Sequence, residues 1–246
     1  MNNFALMAVE ASAPDWTTDL TRSGDRLLLT ARPRRPSGRP GRVYRLRIEG
    51  DPLKVCEAPE PAVHRLLPTV CPERHVNGDG SFCLGLTPFA AQANELDAFW
   101  ATLRAYLLCQ DFAAAQGRWP SGRWLSHGNA AYRQIEAETA AAEAGLSERY
   151  RRALEFGEGW LAGDLTPRSS VCLPRVRPPT VRRKALEALV DAERRRRAAE
   201  AAFADALFYW GDRCCRTMHV CPLRDLEDTR SQTPDPEPPE SFHAHD

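Results

Sequence analysis

The chain holds 246 residues, room for one large domain or a domain with an appendage at about 100–200 residues per domain. Apolar residues make up 43% and charged residues 27%, which excludes wholesale disorder. Basic and acidic residues balance at 33 each, so no chain-wide electrostatic grip on nucleic acid or acidic membranes is expected. No apolar run approaches the roughly 20 residues of a membrane helix. Residues 1–16 carry acids and lack a basic start, unlike a signal peptide, so the expected setting is the cytoplasm. There the eight cysteines point to packing, metal or catalysis before disulfides. Lys54 and Lys184 are the sole lysines. A GC-rich genome explains that bias. So does avoidance of modification at amines, since arginine stays protonated and is no amine nucleophile.

After a short lead, residues 25–32 alternate as a strand, 33–42 form a Pro/Arg/Gly loop, and 43–48 alternate again. Gly50-Asp51-Pro52 marks a turn before a further strand at 53–56. Residues 59–80 are irregular and deliver the chain to Ser81-Phe82-Cys83-Leu84. Helices then take over. Asn94 can cap a helix whose buried face is Leu96, Phe99, Trp100, Leu103, Tyr106 and Leu107. Asn129 can cap a second helix, and Ser147 starts a third. Residues 164–179 are Pro-rich and suggest a linker. Thr180 can cap a long Arg- and Ala-rich helix ending at Gly211. Strands followed by helices argue an α+β fold. The expected division is a domain at 1–160, a helical Cys-bearing extension at 161–227 and a disordered Pro/acid-rich tail at 228–246.

The chemistry-bearing stretch runs from Cys71 through His75-Val76-Asn77 and Gly80 to Phe82-Cys83-Leu84. A thiol in a turn-rich segment with polar donors upstream suits acyl chemistry, which needs donors aimed at a developing oxyanion. This stretch resembles the active-site segment of ubiquitin-conjugating enzymes, the UBC superfamily. That family has a His-Pro-Asn turn, then a glycine, then a hydrophobic-Cys-Leu. Asp79-Gly-Ser-Phe-Cys-Leu-Gly85, Gly117-Arg-Trp119-Pro120, His127-Gly128 and the Cys-rich C-terminal part resemble the bacterial branch. Its members occur beside an activating enzyme, a ubiquitin-like protein and a deconjugating peptidase, often in antiphage defence.

The resemblance covers about residues 25–146. It implies a UBC-like fold, with a four-stranded antiparallel meander before the cysteine and helices after it. It also implies that Cys83 carries a ubiquitin-like protein as a thioester and passes it to an amine acceptor. Asn77 then stands as oxyanion stabiliser, His75 as loop support, and Asp79 or His127 as activator of the acceptor. The implied partners are the activating enzyme, the ubiquitin-like protein and a protein acceptor, with no catalytic cofactor, nucleic acid or membrane. The sequence departs from the family at Val76 in place of proline, at Gly85 in place of aspartate, and in the six-residue spacing from Asn77 to Cys83.

Cys214, Cys215 and Cys221 follow the long helix, and Cys172 precedes it. Soft thiolates suit a structural zinc, although the spacing is not a standard paired motif. Arg194 to Arg197 suggest a solvated helix face pairing with Glu187, Asp191, Glu193 and Glu200. Three other readings remain open: an inactive adaptor of the same fold, a hydrolase using Cys83 and His127, and a zinc-binding interaction protein.

Overall fold

Leu27, Leu29 and Ala31 alternate along one strand and Tyr44, Leu46 and Ile48 along the next, so both turn the same face inward. In the computed structural model, which describes residues 3–50, 52–58, 65–86, 89, 95–123, 125–163, 165 and 183–231, these strands form the centre of a four-stranded antiparallel sheet in the order β1-β2-β3-β4. The strands are β1 (Thr17–Ser23), β2 (Arg26–Ala31), β3 (Tyr44–Glu49) and β4 (Lys54–Glu57). Leu27 faces Ile48, Leu29 faces Leu46, and Ile48 faces Val55 across the ladder.

Helix α1 (Asn3–Ala11) precedes the sheet. After the sheet come α2 (Leu96–Gln116), α3 (Asn129–Glu143), α4 (Ser147–Phe156), α5 (Arg183–Tyr209) and α6 (Pro222–Ser231). The α+β expectation and the four-stranded meander are both observed. Alternation missed β1. That edge strand is polar, and its register is broken between Thr18 and Thr21 by a bulge with Asp19 at φ 55°.

The apolar stripe of α2 lies on the sheet. Leu96, Phe99, Trp100, Leu103, Tyr106 and Leu107 share a core with the strand residues and with Leu6 and Val9 of α1. Trp100 also donates from Nε1 to the Ser12 hydroxyl at 3.0 Å, tying α1 to α2. A second core joins Ala137, Ala140, Ala141 and Ala144 from the α3 region, Tyr150 of α4, and Leu186 and Leu189 of α5. Small residues on α3 let α5 approach closely. The expected boundary near residue 160 therefore runs through a shared core. Met218, from the chain after α5, is buried in the first core beside the sheet and α2.

Two cap expectations change. Gly128, at φ 54° and ψ −132°, occupies the N-cap of α3, and Asn129 is already helical. Glu95 precedes α2, while Asn94, like the Thr180 cap and nearly all of the linker at 164–179, lies outside the described residues. Residues 228–231, expected in a disordered tail, belong to α6, which runs to Ser231; the rest of that expected tail, residues 232–246, lies outside the described residues. Arg196 departs from the expected solvated face. It is buried, donating to Glu193 at 2.7 Å, Glu200 at 3.0 Å and the Ser126 hydroxyl at 2.9 Å.

Candidate active site

Residues 71–83 fold into a tight unit on the free side of β4. Cys71 pairs with Val76, Val76 with Phe82, and Ser81 with Cys56, while the Phe82 amide donates to the Val55 carbonyl at 2.8 Å. Pro72 opens a short 3₁₀ turn, Pro72–Arg74, and its carbonyl accepts the His75 amide at 2.7 Å. Turning back to pair with Phe82 puts His75 at φ 52°, the left-handed region, where histidine is among the more tolerated side chains. Gly80, at φ 77°, completes the second turn by donating to the Asn77 carbonyl at 2.9 Å.

Helix α2 grips this unit from beneath. Tyr106 and Gln110, one turn apart, face the same way. The Tyr106 hydroxyl shares its proton between the carbonyls of His75 at 3.0 Å and Arg74 at 3.2 Å. Gln110 donates to the Arg74 carbonyl at 2.6 Å and accepts from the Arg74 guanidinium at 2.8 Å. The Phe82 ring stacks on Tyr106 with centroids 4.7 Å apart. Backbone polar groups that a turn would leave bare in the interior are thus paired, and the turn is held rigidly.

Cys83 follows directly. Its amide donates to the His75 carbonyl at 2.8 Å, and its side chain is half-buried. Burial pushes the thiol up, and a hydrogen bond from the Gly85 amide opposes that. A neutral thiol is compatible with accepting an acyl group that arrives already activated as a thioester.

Asn77 is exposed, and its amide donates to the Ser81 hydroxyl at 3.0 Å, bracing its own turn. Asp79 caps the same turn, accepting from the Ser81 amide at 3.0 Å and pairing with Lys54 at 3.0 Å. Partial burial works against ionisation there, but the Ser81 hydrogen bonds and the Lys54 ammonium together hold the carboxyl down at about 2. His75 is buried between Trp119 and His127, with ring centroids 4.7 and 5.1 Å away. Burial, seconded by the nearby His127, lowers it to about 3, so it stays neutral and acts through packing and its backbone.

His127, expected as one of two alternative acceptor activators, sits buried as a strut. Its Nδ1 lies 2.6 Å from Glu200 of α5 and its Nε2 2.6 Å from the Pro72 carbonyl, while Phe203 stacks on the ring. A carbonyl and a carboxylate accept only, so both ring nitrogens donate and the ring is an imidazolium. Burial opposes that charge, but the Glu200 carboxylate outweighs it and raises the histidine. Asp79 and His127 thus both have structural partners, and neither is presented as a base.

The chain after α5 returns to this unit. Leu207 and Asp212 each approach the open face of Gly78 to within 3.8 Å of where a Cβ would stand. The His219 amide donates to the Gly117 carbonyl at 2.7 Å. Neighbouring cysteines point opposite ways. Cys214 packs with Cys221 and Leu223, whereas the Cys215 sulfur lies 3.2 Å from that of Cys71. The expected zinc set is therefore not gathered: no group of three or more His, Cys, Asp or Glu side chains suited to a metal occurs among the described residues. Cys172 lies outside them, and metal analysis of the purified chain decides whether it completes a site with Cys214 and Cys221.

A four-stranded meander, a cysteine-bearing segment laid beside β4, and a helix packed across the sheet define a UBC-like fold. Residues 16–121 match the family model described as the prokaryotic E2 domain, so over that stretch the chain is similar to bacterial E2 domains. The match supports a ubiquitin-conjugating-like role in general terms. No curated protein and no solved structure matches the chain. No helix of the described residues is long and apolar enough to cross a membrane.

The sequence missed the residues that hold the turn: Tyr106, Gln110, Glu200 and Phe203. Tyr106 was legible as a core position of α2, and Gln110, four residues on, shares its face. Nothing local joins Glu200 to His127, 73 residues away.

Proposed function

We propose that Cys83 accepts a ubiquitin-like protein from an ATP-dependent activating enzyme and delivers it to an amine. The Cys83 sulfur attacks the carbonyl of the incoming thioester. The new C–S bond forms, the activating enzyme's thiolate leaves, and the Cys83 proton passes to it or to water. An acceptor amine then attacks the Cys83 thioester, giving an amide and returning the thiol. The protein's part is positioning. The observation that supports this reading is the half-buried Cys83, fixed by its amide to the His75 carbonyl within the stretch similar to bacterial E2 domains. A bacterial, antiphage-type conjugation pathway in the cytoplasm is the setting we infer for it.

The Cys–His hydrolase reading is weakened by His127, both of whose nitrogens are engaged away from the thiol. The decisive experiment incubates the chain with ATP, its partner activating enzyme and ubiquitin-like protein, and compares gels with and without reductant. The expected result is a reductant-sensitive adduct on the wild type, none on Cys83→Ala, and a reductant-resistant one where Cys83→Ser reacts. No adduct with a demonstrably active activating enzyme refutes the proposal and favours the adaptor reading.

A further inference from the structure

Two thiols outside the Cys83 chemistry lie closer than any packing need explains. Cys71 and Cys215 are 144 residues apart in sequence, and their sulfurs are 3.2 Å apart. A disulfide requires about 2.05 Å, so a small rotation of either side chain closes the gap. The two differ in access. Cys71 is 1% exposed and sits at the base of the turn unit, its backbone paired with Val76. Cys215 is half-buried and lines an open cleft of 550 Å³ between the 65–70 segment and residues 211–217. Arg74 lines the same cleft, and the Thr217 hydroxyl lies 3.0 Å from the Cys215 sulfur.

The turn that presents Cys215 is built for this direction. Arg216 takes φ 59°, which a non-glycine residue adopts only when its surroundings enforce it. Its guanidinium pairs with Glu227 of α6 at 2.6 Å, and the Cys214 amide donates to the same carboxylate at 2.6 Å. With Cys214 turned toward α6, Cys215 faces Cys71.

We propose that Cys71 and Cys215 are a redox-responsive pair, whose oxidation by a peroxide or a low-molecular-weight disulfide staples the C-terminal extension to the turn unit that leads into Cys83. With hydrogen peroxide, the Cys215 thiolate attacks one oxygen, the O–O bond breaks, hydroxide leaves and a sulfenic acid forms. Cys71 then attacks that sulfur, the S–O bond breaks and water leaves, so two thiols lose two electrons and the peroxide gains them. With glutathione disulfide, the Cys215 thiolate attacks one sulfur, the S–S bond breaks and one glutathione thiolate leaves; Cys71 then attacks the Cys215 sulfur of the mixed disulfide, that S–S bond breaks and the second glutathione leaves. In both routes the accessible thiol reacts first and the buried one resolves. In a reducing cytosol the pair stays as thiols, and an oxidative episode closes it. The inference is independent of thioester formation at Cys83.

The test treats the full, reduced chain with hydrogen peroxide and, separately, with glutathione disulfide. Free thiols are counted in denaturant, and peptides are mapped without reductant. The expected result is a loss of two from the chain's eight thiols, a cross-linked peptide pair holding Cys71 and Cys215, and full reversal by dithiothreitol. Cys215→Ser, a near-isosteric change at a half-buried site, gives no cross-link at Cys71. Cys71→Val leaves Cys215 trapped as a sulfenic acid or glutathione adduct, scored only if its circular dichroism matches the wild type. A wild-type cross-link that instead joins Cys71 to Cys83 or Cys214 to Cys221, or a native chain that keeps all its thiols, overturns the proposal.

Discussion

Replacing Glu200 by glutamine tests the imidazolium strut, because it keeps the shape and removes the charge. In the native protein His127 donates from both nitrogens, to Glu200 and to the Pro72 carbonyl, each at 2.6 Å. In Glu200→Gln the ring need carry only one proton, and a neutral hydrogen bond replaces a charge-assisted one. A hydrogen bond to a charged group contributes about 1.5–3 kcal/mol against about 1 for a neutral one, so a loss of about 1–2 kcal/mol is expected at pH 6. Glu200→Ala goes further: it leaves the imidazolium and Arg196 without that carboxylate and should cost about 3–5 kcal/mol.

The pH dependence separates a charged pair from a mere contact. His127 is raised in the folded state. Its contribution is therefore complete below about 6.5, the unfolded value, and is lost as pH rises through the folded value. Within that window stability falls by up to about 1.4 kcal/mol per pH unit. Cys215 acts in the opposite sense. The hydrogen bond it shares with Cys71, and more weakly Thr217 and Arg74, lower it to about 5, so its contribution grows as pH rises from there toward the unfolded thiol value. Cys215 is present in both proteins, so its effect cancels in the difference between them. Urea titrations followed by tryptophan fluorescence at pH 6, 7 and 8 should show the gap between wild type and Glu200→Gln narrowing with pH. A gap that is constant, or that widens, refutes the imidazolium assignment.

Tyr106→Phe removes the hydroxyl shared by the Arg74 and His75 carbonyls and should cost about 1 kcal/mol in urea denaturation. A neutral result would mean that water replaces it. Lys54→Ala should raise the Asp79 carboxyl from about 2 part of the way to the ordinary value near 3.9, read by carbon-13 titration, with the Ser81 bonds holding the remainder. An unmoved Asp79 would assign the whole depression to Ser81.

The strands β2 and β3 were legible because each alternates over one buried face, whereas β4, with Val55 and Cys56 both buried, was legible through the turn that precedes it. β1 was not, because an edge strand with one buried residue carries no alternation to read. Cys83 stood out through its neighbours in sequence, since a turn of consecutive residues leaves its pattern in consecutive letters. The roles of Asp79 and His127 were not legible. A carboxylate or an imidazole near a thiol in sequence is free or engaged according to partners the sequence does not order: Lys54 for one, Glu200 and Pro72 for the other. The same limit hid Arg196, whose run of four arginines suggested solvent, yet whose burial follows from Glu193, Glu200 and Ser126 converging on it.

The matched domain stops at residue 121, but the groups that brace its turn do not. His127, Glu200, Phe203 and Cys215 all come later, and each touches the unit that carries Cys83 or its neighbour His127. A chain cut after residue 163 keeps α1, the sheet, α2, α3 and α4 and loses α5, α6 and the segments around them. It uncovers the alanine face of α3 that Leu186 and Leu189 bury, and the core position filled by Met218. With Val190 included, four of the larger buried apolar side chains lost are Leu186, Leu189, Val190 and Met218. At about 1.5–3 kcal/mol each they amount to about 6–12 kcal/mol. That is comparable to the whole stability of a domain, about 5–15 kcal/mol. The truncated chain should therefore lack a cooperative urea transition, and its amides in the 71–83 segment should exchange freely. Wild-type-like protection of the Cys83 amide in that fragment would show instead that α2 alone holds the turn and that α5 is an accessory.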